Sequence, residues 1–352
     1  MVDYQDLKKI FFKFSPENAH HFAELGFRFA GSVAPMILNP ITEEYFVTND
    51  KLEQTLFGVK FLNPVGIAAG FDKNATMFKA LTALGFGYIE YGTMTPKPQS
   101  GNKKPRLFRH IEEESLQNAM GFNNQGAEKI AKRVKKLYPY ITPIGANIGK
   151  NKTTLDENAL FDYVELVKTF SPLSDYLAVN ISSPNTPGLR SLQNTKFVKE
   201  LFNECIKLTD KPILLKIAPD MEAHEAIELC AVALDCGAKG IIATNTTIDY
   251  SLVKNPKDFG GISGKVLKDK SFKMFDELAR EFYKHTTLIS VGGIDSAEDV
   301  YKRVRAGASL VQLYTSFIFK GPIVNFNINN DLTKLIERDG LNNISELIGS
   351  GR

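Results

Sequence analysis

Eight short apolar runs, each followed by a helical pattern, constrain this chain more than any other feature. They occupy residues 65–69, 88–92, 144–148, 176–181, 213–217, 240–244, 288–291 and 310–314. Most are rich in Val and Ile and end in glycine or small polar residues, the signature of strands buried on both faces. Most of their starts lie 22 to 37 residues apart, the length of one strand–helix unit. Eight such units in about 300 residues fit a closed (β/α)8 TIM barrel better than an open doubly wound sheet. Two intervals, of 56 and 48 residues, carry insertions. The first holds residues 95–124, rich in Pro, Gly, Asn and Lys, and reads as a lid or a wall of an active site. The second holds Gly260-Gly261-Ile262-Ser263-Gly264, which reads as a flexible glycine loop admitting a ligand to the backbone. The pattern Leu332, Leu335, Ile336 reads as the closing helix.

Composition excludes several classes. With 43% hydrophobic and 24% charged residues, the chain is not disordered as a whole. A net charge of +3 gives no footprint for nucleic acid. No run of 18 apolar residues is present, so no helix spans a bilayer. Cys205, Cys230 and Cys236 are odd in number and lack CxxC spacing, and no histidine pair has ligand spacing, so neither a disulfide framework nor a metal site is expected.

The first 40 residues follow another rule. Leu7, Ile10, Phe11 and Phe14 recur at helical spacing among lysines. Ser15-Pro16-Glu17 then reads as a helix start, and Gly31 as its stop. The expectation is a pair of short amphipathic helices over residues 1–45, ahead of a barrel domain over 46–352. Such a pair either packs on the main domain or a second subunit, or lies on a membrane surface.

Chemistry in a barrel sits where the strands end. Gly70, Asp72 and Lys73 follow the first run, and Thr93 the second. Asn147 and Lys150 close the third, and residues 180–188 (NISSPNTPG) end the fourth. Lys216 lies inside the fifth. Thr244-Asn245-Thr246 end the sixth, Gly292-Gly293 the seventh, and Tyr314 and Thr315 the eighth. Amides, hydroxyls, glycines and lysines dominate, and carboxylates are scarce. That argues against a two-acid glycosidase or a metal hydrolase and for a large, polar, anionic ligand. A flavin mononucleotide meets the description; so does a sugar phosphate. Lys216 reads as a solvent-facing strand end, a Schiff-base nucleophile, or a cation beside an electron-rich cofactor ring. Lys73 has the same alternatives. Asn147 and Asn180 read equally as turn or cap residues, and Ser183 alone as a helix cap.

The segment Asn180-Ile-Ser-Ser-Pro-Asn-Thr-Pro-Gly-Leu-Arg190 resembles the signature loop of class 2 dihydroorotate dehydrogenases, the quinone-dependent, membrane-associated class. Ala68-Ala-Gly-Phe-Asp-Lys73, Gly92-Thr-Met-Thr-Pro-Lys-Pro98, Asn118-Ala-Met-Gly-Phe-Asn-Asn124, Asn147-Ile-Gly-Lys-Asn151, Lys216-Ile-Ala-Pro-Asp220, Ala243-Thr-Asn-Thr-Thr247, Gly260-Gly-Ile-Ser-Gly264 and Val291-Gly-Gly-Ile-Asp295 agree in order. The resemblance implies bound FMN, oxidation of dihydroorotate to orotate in pyrimidine synthesis, and transfer of electrons to a membrane quinone. It places the base on Ser183. The implied flavin contacts fall on Ala69, Gly70, Lys73, Thr93, Asn147, Asn180, Lys216, Thr244, Gly264, Gly293, Tyr314 and Thr315. The implied substrate contacts fall on Lys73, Asn118, Ala119, Met120, Gly121, Phe122, Asn180, Asn185, Asn245 and Thr246. Alanine at 119 stands where some members carry arginine, and Thr315 where some carry serine. Cytosolic relatives use cysteine as base, and no cysteine lies in the 180–190 loop. The resemblance further implies a monomer on the cytoplasmic side of the inner membrane, held to the lipid bilayer surface through residues 1–40. Phe11, Phe22, Phe27 and Phe29 would line a quinone entrance, with His20 as a polar contact.

Overall fold

The computed structural model describes residues 4–33 and 35–352. The eight apolar runs become eight parallel strands: β1 (Val65–Ile67), β2 (Tyr88–Met94), β3 (Ile144–Ile148), β4 (Tyr176–Asn180), β5 (Ile213–Ile217), β6 (Gly240–Ala243), β7 (Thr287–Val291) and β8 (Leu310–Leu313). They pair in chain order, and β8 pairs with β1 to close the barrel. The fold is the expected (β/α)8 barrel.

The strands are apolar throughout because both faces are buried. Outward residues such as Ile67, Ile89 and Leu215 pack under the surrounding helices. Inward ones, among them Tyr88, Tyr176, Leu214, Ile242, Ile289 and Leu310, form a second cluster inside the barrel. Small residues there make room for large ones. A Cβ on Gly66 would stand 2.4 Å from the Tyr88 ring, and one on Gly145 2.0 Å from that of Tyr176. The hairpin of Gln54–Leu56 and Val59–Phe61 covers this apolar end, with Phe61 edge-on to Tyr88. Towards the carboxyl ends the interior turns polar, with Glu90, Asn147, Asn180, Lys216 and Gln312 all buried. The helix Ile323–Arg338 contains the three residues read as the closing helix.

Both insertions are structured. Leu107–His110 and Ser115–Asn118 form a hairpin, and Gly261–Gly264 adds to it as a third antiparallel strand. The glycine segment is therefore a strand at close quarters rather than a flexible loop. A Cβ on Gly260 would meet the Asn118 carbonyl at 2.5 Å, and one on Gly261 would meet Thr246 Oγ1 at 2.0 Å. This sheet joins the excursions after β2 and β6.

The amino-terminal pair is present as α1 (Tyr4–Phe11) and α2 (Pro16–Val33), and a third helix, α3 (Pro35–Tyr45), follows. Ser15 Oγ accepts from the Asn18 N–H at 3.4 Å, as expected of a cap. Gly31 does not stop α2, which continues to Val33. One side of the arm packs on the barrel. The Tyr4 hydroxyl donates to the Ile318 carbonyl at 2.6 Å, and Lys8 Nζ to that of Phe319 at 3.1 Å. Leu38 of α3 is buried against Ala80 and Ala83, where Phe27 also packs. The other side is bare: Leu7, Ile10, Phe14, Phe22, Leu25 and Phe29 are exposed. No helix among the described residues is long and apolar enough to cross a membrane.

Candidate active site

The strand ends, the Ser182–Gly188 loop and the three-stranded sheet enclose a cleft of about 1360 Å³, counting its solvent-open mouth. Of the residues that the resemblance marks as base, flavin or substrate contacts, all but Asn147 and Ala119 line it, whereas Asp72 and Lys150 from the strand ends do not. Asn147 sits just behind the wall, fully buried. Its Oδ1 accepts from Thr93 Oγ1 and from Asn180 Nδ2 at 3.1 Å. Ala119 is buried in the lid, its N–H donating to the Arg106 carbonyl at 2.8 Å.

Ser183 is brought to the rim by the turn after β4. Its Oγ accepts from the Asn185 N–H at 3.2 Å. Three amides surround that loop. Asn185 Nδ2 donates to Asn118 Oδ1 at 3.1 Å. Asn245 Nδ2 donates to Ser182 Oγ at 3.0 Å. Asn185 Oδ1, Thr186 Oγ1 and Thr246 Oγ1 are buried without a hydrogen-bond partner. Buried polar atoms are almost always satisfied, so the two of these whose residues line the cleft, Asn185 and Thr246, mark a place built for polar ligand atoms. Arg190 fixes the loop from behind: Nε donates to the Ser182 carbonyl and Nη2 to that of Thr246, both at 2.9 Å, while Nη1 pairs with Asp220 at 2.9 Å.

Two lysines face the cleft. Lys73 Nζ donates to the Gly70 carbonyl at 2.6 Å. Desolvation holds its pKa down to about 8, against the opposing pull of Glu24 and Asp72. Lys216 Nζ lies 3.1 Å from Glu90 Oε1. Glu90 is fully buried inside the barrel and also accepts from Asn147 at 2.9 Å, Tyr176 at 3.2 Å and Gln312 at 2.7 Å. This ion pair ties the Lys216 side chain to a carboxylate inside the barrel, an arrangement that suits a cation beside a cofactor ring better than a free Schiff-base amine. Tyr314 closes the wall beside Gly70, its hydroxyl pushed up to about 12 by burial.

Glu90, Gln312 and Arg190 carried no assignment from the sequence. An acid within Tyr-Ile-Glu-Tyr-Gly is as anomalous in a buried strand as Lys216, and that anomaly was the available signal. At the arm, Glu17 of α2 meets Arg106 of the lid at 2.7 Å. His20 stands edge-on to Phe71, and burial together with Lys73 lowers its pKa to about 3, so the ring is neutral. Phe27 is partly buried and packs beside Leu38, Ala80 and Ala83, whereas Phe22 and Phe29 are exposed.

The family model for dihydroorotate dehydrogenase matches residues 51–336. This chain belongs to the dihydroorotate dehydrogenase family. It is 60% identical over 348 residues to the dihydroorotate dehydrogenase (quinone) of a Nitratiruptor species, covering 99% of both chains. It is 57% identical over 352 residues, all of both chains, to the protein of that name from Sulfurimonas denitrificans. Among solved structures it is similar to the dihydroorotate dehydrogenase of Eimeria tenella crystallised with ferulenol, with a TM-score of 0.81 at 34% identity and 95% of each chain covered.

The cleft of this family member fits FMN. It offers ammonium groups at Lys73 and Lys216, hydroxyls at Thr93, Thr244 and Thr315, and backbone at close approach in the positive-φ glycines Gly70, Gly264 and Gly293. Ser316 Oγ and Gln312 Oε1, both on the wall, are buried and unpartnered.

Proposed function

We infer that this chain oxidises dihydroorotate to orotate in pyrimidine biosynthesis, with FMN as cofactor and a membrane quinone as final acceptor. One observation carries the reading: the Ser183 hydroxyl shares a cleft with Asn118, Asn185, Asn245 and Lys73 on the substrate side and with Lys216, Thr244 and Gly293 on the cofactor side. FMN, when bound, supplies the hydride acceptor. Ser183 Oγ takes the proton from C5 of the dihydropyrimidine. A hydroxyl is a weak base until its own proton has somewhere to go. Thr186 Oγ1, buried three residues downstream and unpartnered, is the relay, directly or through a water. Asn118, Asn185 and Asn245 present amide donors and acceptors to the imide edge. Lys73 balances the substrate carboxylate, and Lys216 holds positive charge beside the flavin ring.

The first 45 residues serve a different task from residues 46–352. The bare apolar faces of α1 and α2 lie on a bilayer surface and admit the quinone, with the protein a monomer on the cytoplasmic side of the membrane. Phe11, Phe22, Phe29 and neutral His20 border that entrance. Residues 1–3 and 34 of this segment lie outside the described residues.

The test is a spectrum. The purified protein is yellow, and anaerobic dihydroorotate bleaches the band near 450 nm (about the value for any flavoprotein). A colourless protein that does not take up FMN would refute the reading.

A further inference from the structure

Arg303, on the helix Ala297–Arg305 after β7, is an unusual buried cation. Its side chain is 2% exposed. Nη1 donates to Ser290 Oγ at 2.8 Å. Nη2 donates to Ser271 Oγ at 2.9 Å, to the Gly292 carbonyl at 2.7 Å and to the Lys268 carbonyl at 3.2 Å. All four acceptors are uncharged. Asp299 and Asp269 act on it only at longer range, and burial lowers its pKa to about 10, which still leaves it fully charged at neutral pH. A buried charge is costly unless a counter-charge lies close by.

The groups it holds border one corner of the cleft. Gly292 and Gly293 have φ of 118° and 69° and line the wall with Gly264, Thr315 and Ser316. A Cβ on Gly293 would stand 2.5 Å from Lys268 Cα. The two backbone segments tied by the guanidinium are thus the two that touch at this turn. The orphaned hydroxyl of Ser316 lies at this corner too. Asp295, the carboxylate at this corner, is neutralised by Lys268 at 2.8 Å and Lys320 at 3.2 Å. The turns after the seventh and eighth strands are where barrels often hold phosphate.

We propose that Arg303 is a positioning residue that gives the cleft its preference for a phosphomonoester-bearing flavin over the same flavin without phosphate. It holds the Gly292 carbonyl back so that the Gly293 turn faces the cleft, and its charge favours a dianion just beyond that turn. The guanidinium acts through the turn and its field and does not touch the ligand. This rests on the FMN reading above.

The experiment compares FMN with riboflavin. Full-length protein is freed of flavin and titrated with each, followed by quenching of flavin fluorescence; the chain has no tryptophan to interfere. Wild type binds FMN the more tightly. Arg303→Met keeps the bulk and removes the charge. It should weaken FMN about 10- to 100-fold, as for loss of a charge-assisted interaction, and riboflavin less than about threefold. Arg303→Lys keeps a charge but gives up the fork, and should lower the FMN-to-riboflavin ratio about threefold. Equal weakening of both flavins in Arg303→Met overturns the proposal. So does an unchanged ratio in Arg303→Lys, which decides the matter if the methionine variant does not fold. Wild-type protein that binds neither flavin would instead overturn the FMN reading itself.

Discussion

The barrel mouth and the amino-terminal arm solve opposite problems. At the mouth, polar groups are buried and tied to one another: Glu90 alone holds Lys216, Asn147, Tyr176 and Gln312. In the arm, apolar groups are left in water: Phe22 is 47% and Phe29 65% exposed, and α1 buries no residue at all. Preorganised dipoles and charges are worth most where water is excluded, so the mouth is built for chemistry. Exposed apolar surface gains only by meeting another apolar phase, so the arm is built for a surface. The contrast separates the catalytic cleft from the proposed membrane contact within one chain, and each can be broken without the other.

The largest effect is expected at the mouth. Ser183→Ala should slow flavin reduction by dihydroorotate about 10²- to 10⁴-fold, the usual contribution of a positioned base, with the flavin still bound. Stopped-flow absorbance measures it, and near-normal reduction would remove Ser183 from the role. Next comes the buried pair. Glu90→Ala strands Lys216 inside the barrel and should destabilise the fold by about 3–5 kcal/mol in urea denaturation. Adding Lys216→Met should recover part of that loss, because the double variant no longer buries an unpaired charge. An additive double variant would mean the two residues are not energetically coupled.

These two residues also show how much the sequence reveals. The eight strands were legible because burial on both faces demands apolar, branched residues over the whole run, a local pattern. Ser183 and the residues of its loop were legible because strand ends in a barrel point to one place. The role of Glu90 was not, because its partners lie 57, 86, 126 and 222 residues away: the local pattern marks the acid as anomalous but names none of the four. The sheet across the mouth was missed for the same reason. Gly261–Gly264 has the composition of a loop and becomes a strand only beside Ser115–Asn118, far upstream. In the arm, Gly31 reads as a stop, yet α2 runs through it to Val33, and α3 follows where the pattern gave only two helices. Packing of Leu38 and Phe27 on Ala80 and Ala83 overrides that local preference.

Smaller effects sharpen the other side of the contrast. Phe22→Ser with Phe29→Ser removes about half-exposed rings from the bare face. Each full ring transferred to an apolar phase is worth about 1.5–3 kcal/mol, so the pair should weaken binding to phospholipid vesicles roughly 10- to 100-fold. Dihydroorotate-driven flavin reduction should not change while reduction of a long-chain quinone falls. An equal fall in both half-reactions would make the arm merely structural.

The mildest prediction concerns Lys73, which stands where the two regions meet, with His20 of the arm among its neighbours. Its pKa lies near 8 because burial penalises the ammonium. Above that pH the unliganded protein loses a cation that the substrate carboxylate needs. Orotate affinity should therefore fall about fivefold from pH 8 to 9 and approach tenfold per unit above that, until the liganded pKa is reached. Lys73→Met should abolish that slope and bind orotate weakly throughout. Stability moves in the opposite sense. Between about 8 and the ordinary lysine value of 10.5 the unfolded chain carries a proton that the folded one has lost, so folding stability gains with pH in that window. Affinity and stability that shift together would point to a general loosening of the fold, whereas opposite slopes, both lost in Lys73→Met, assign the titration to this one ammonium.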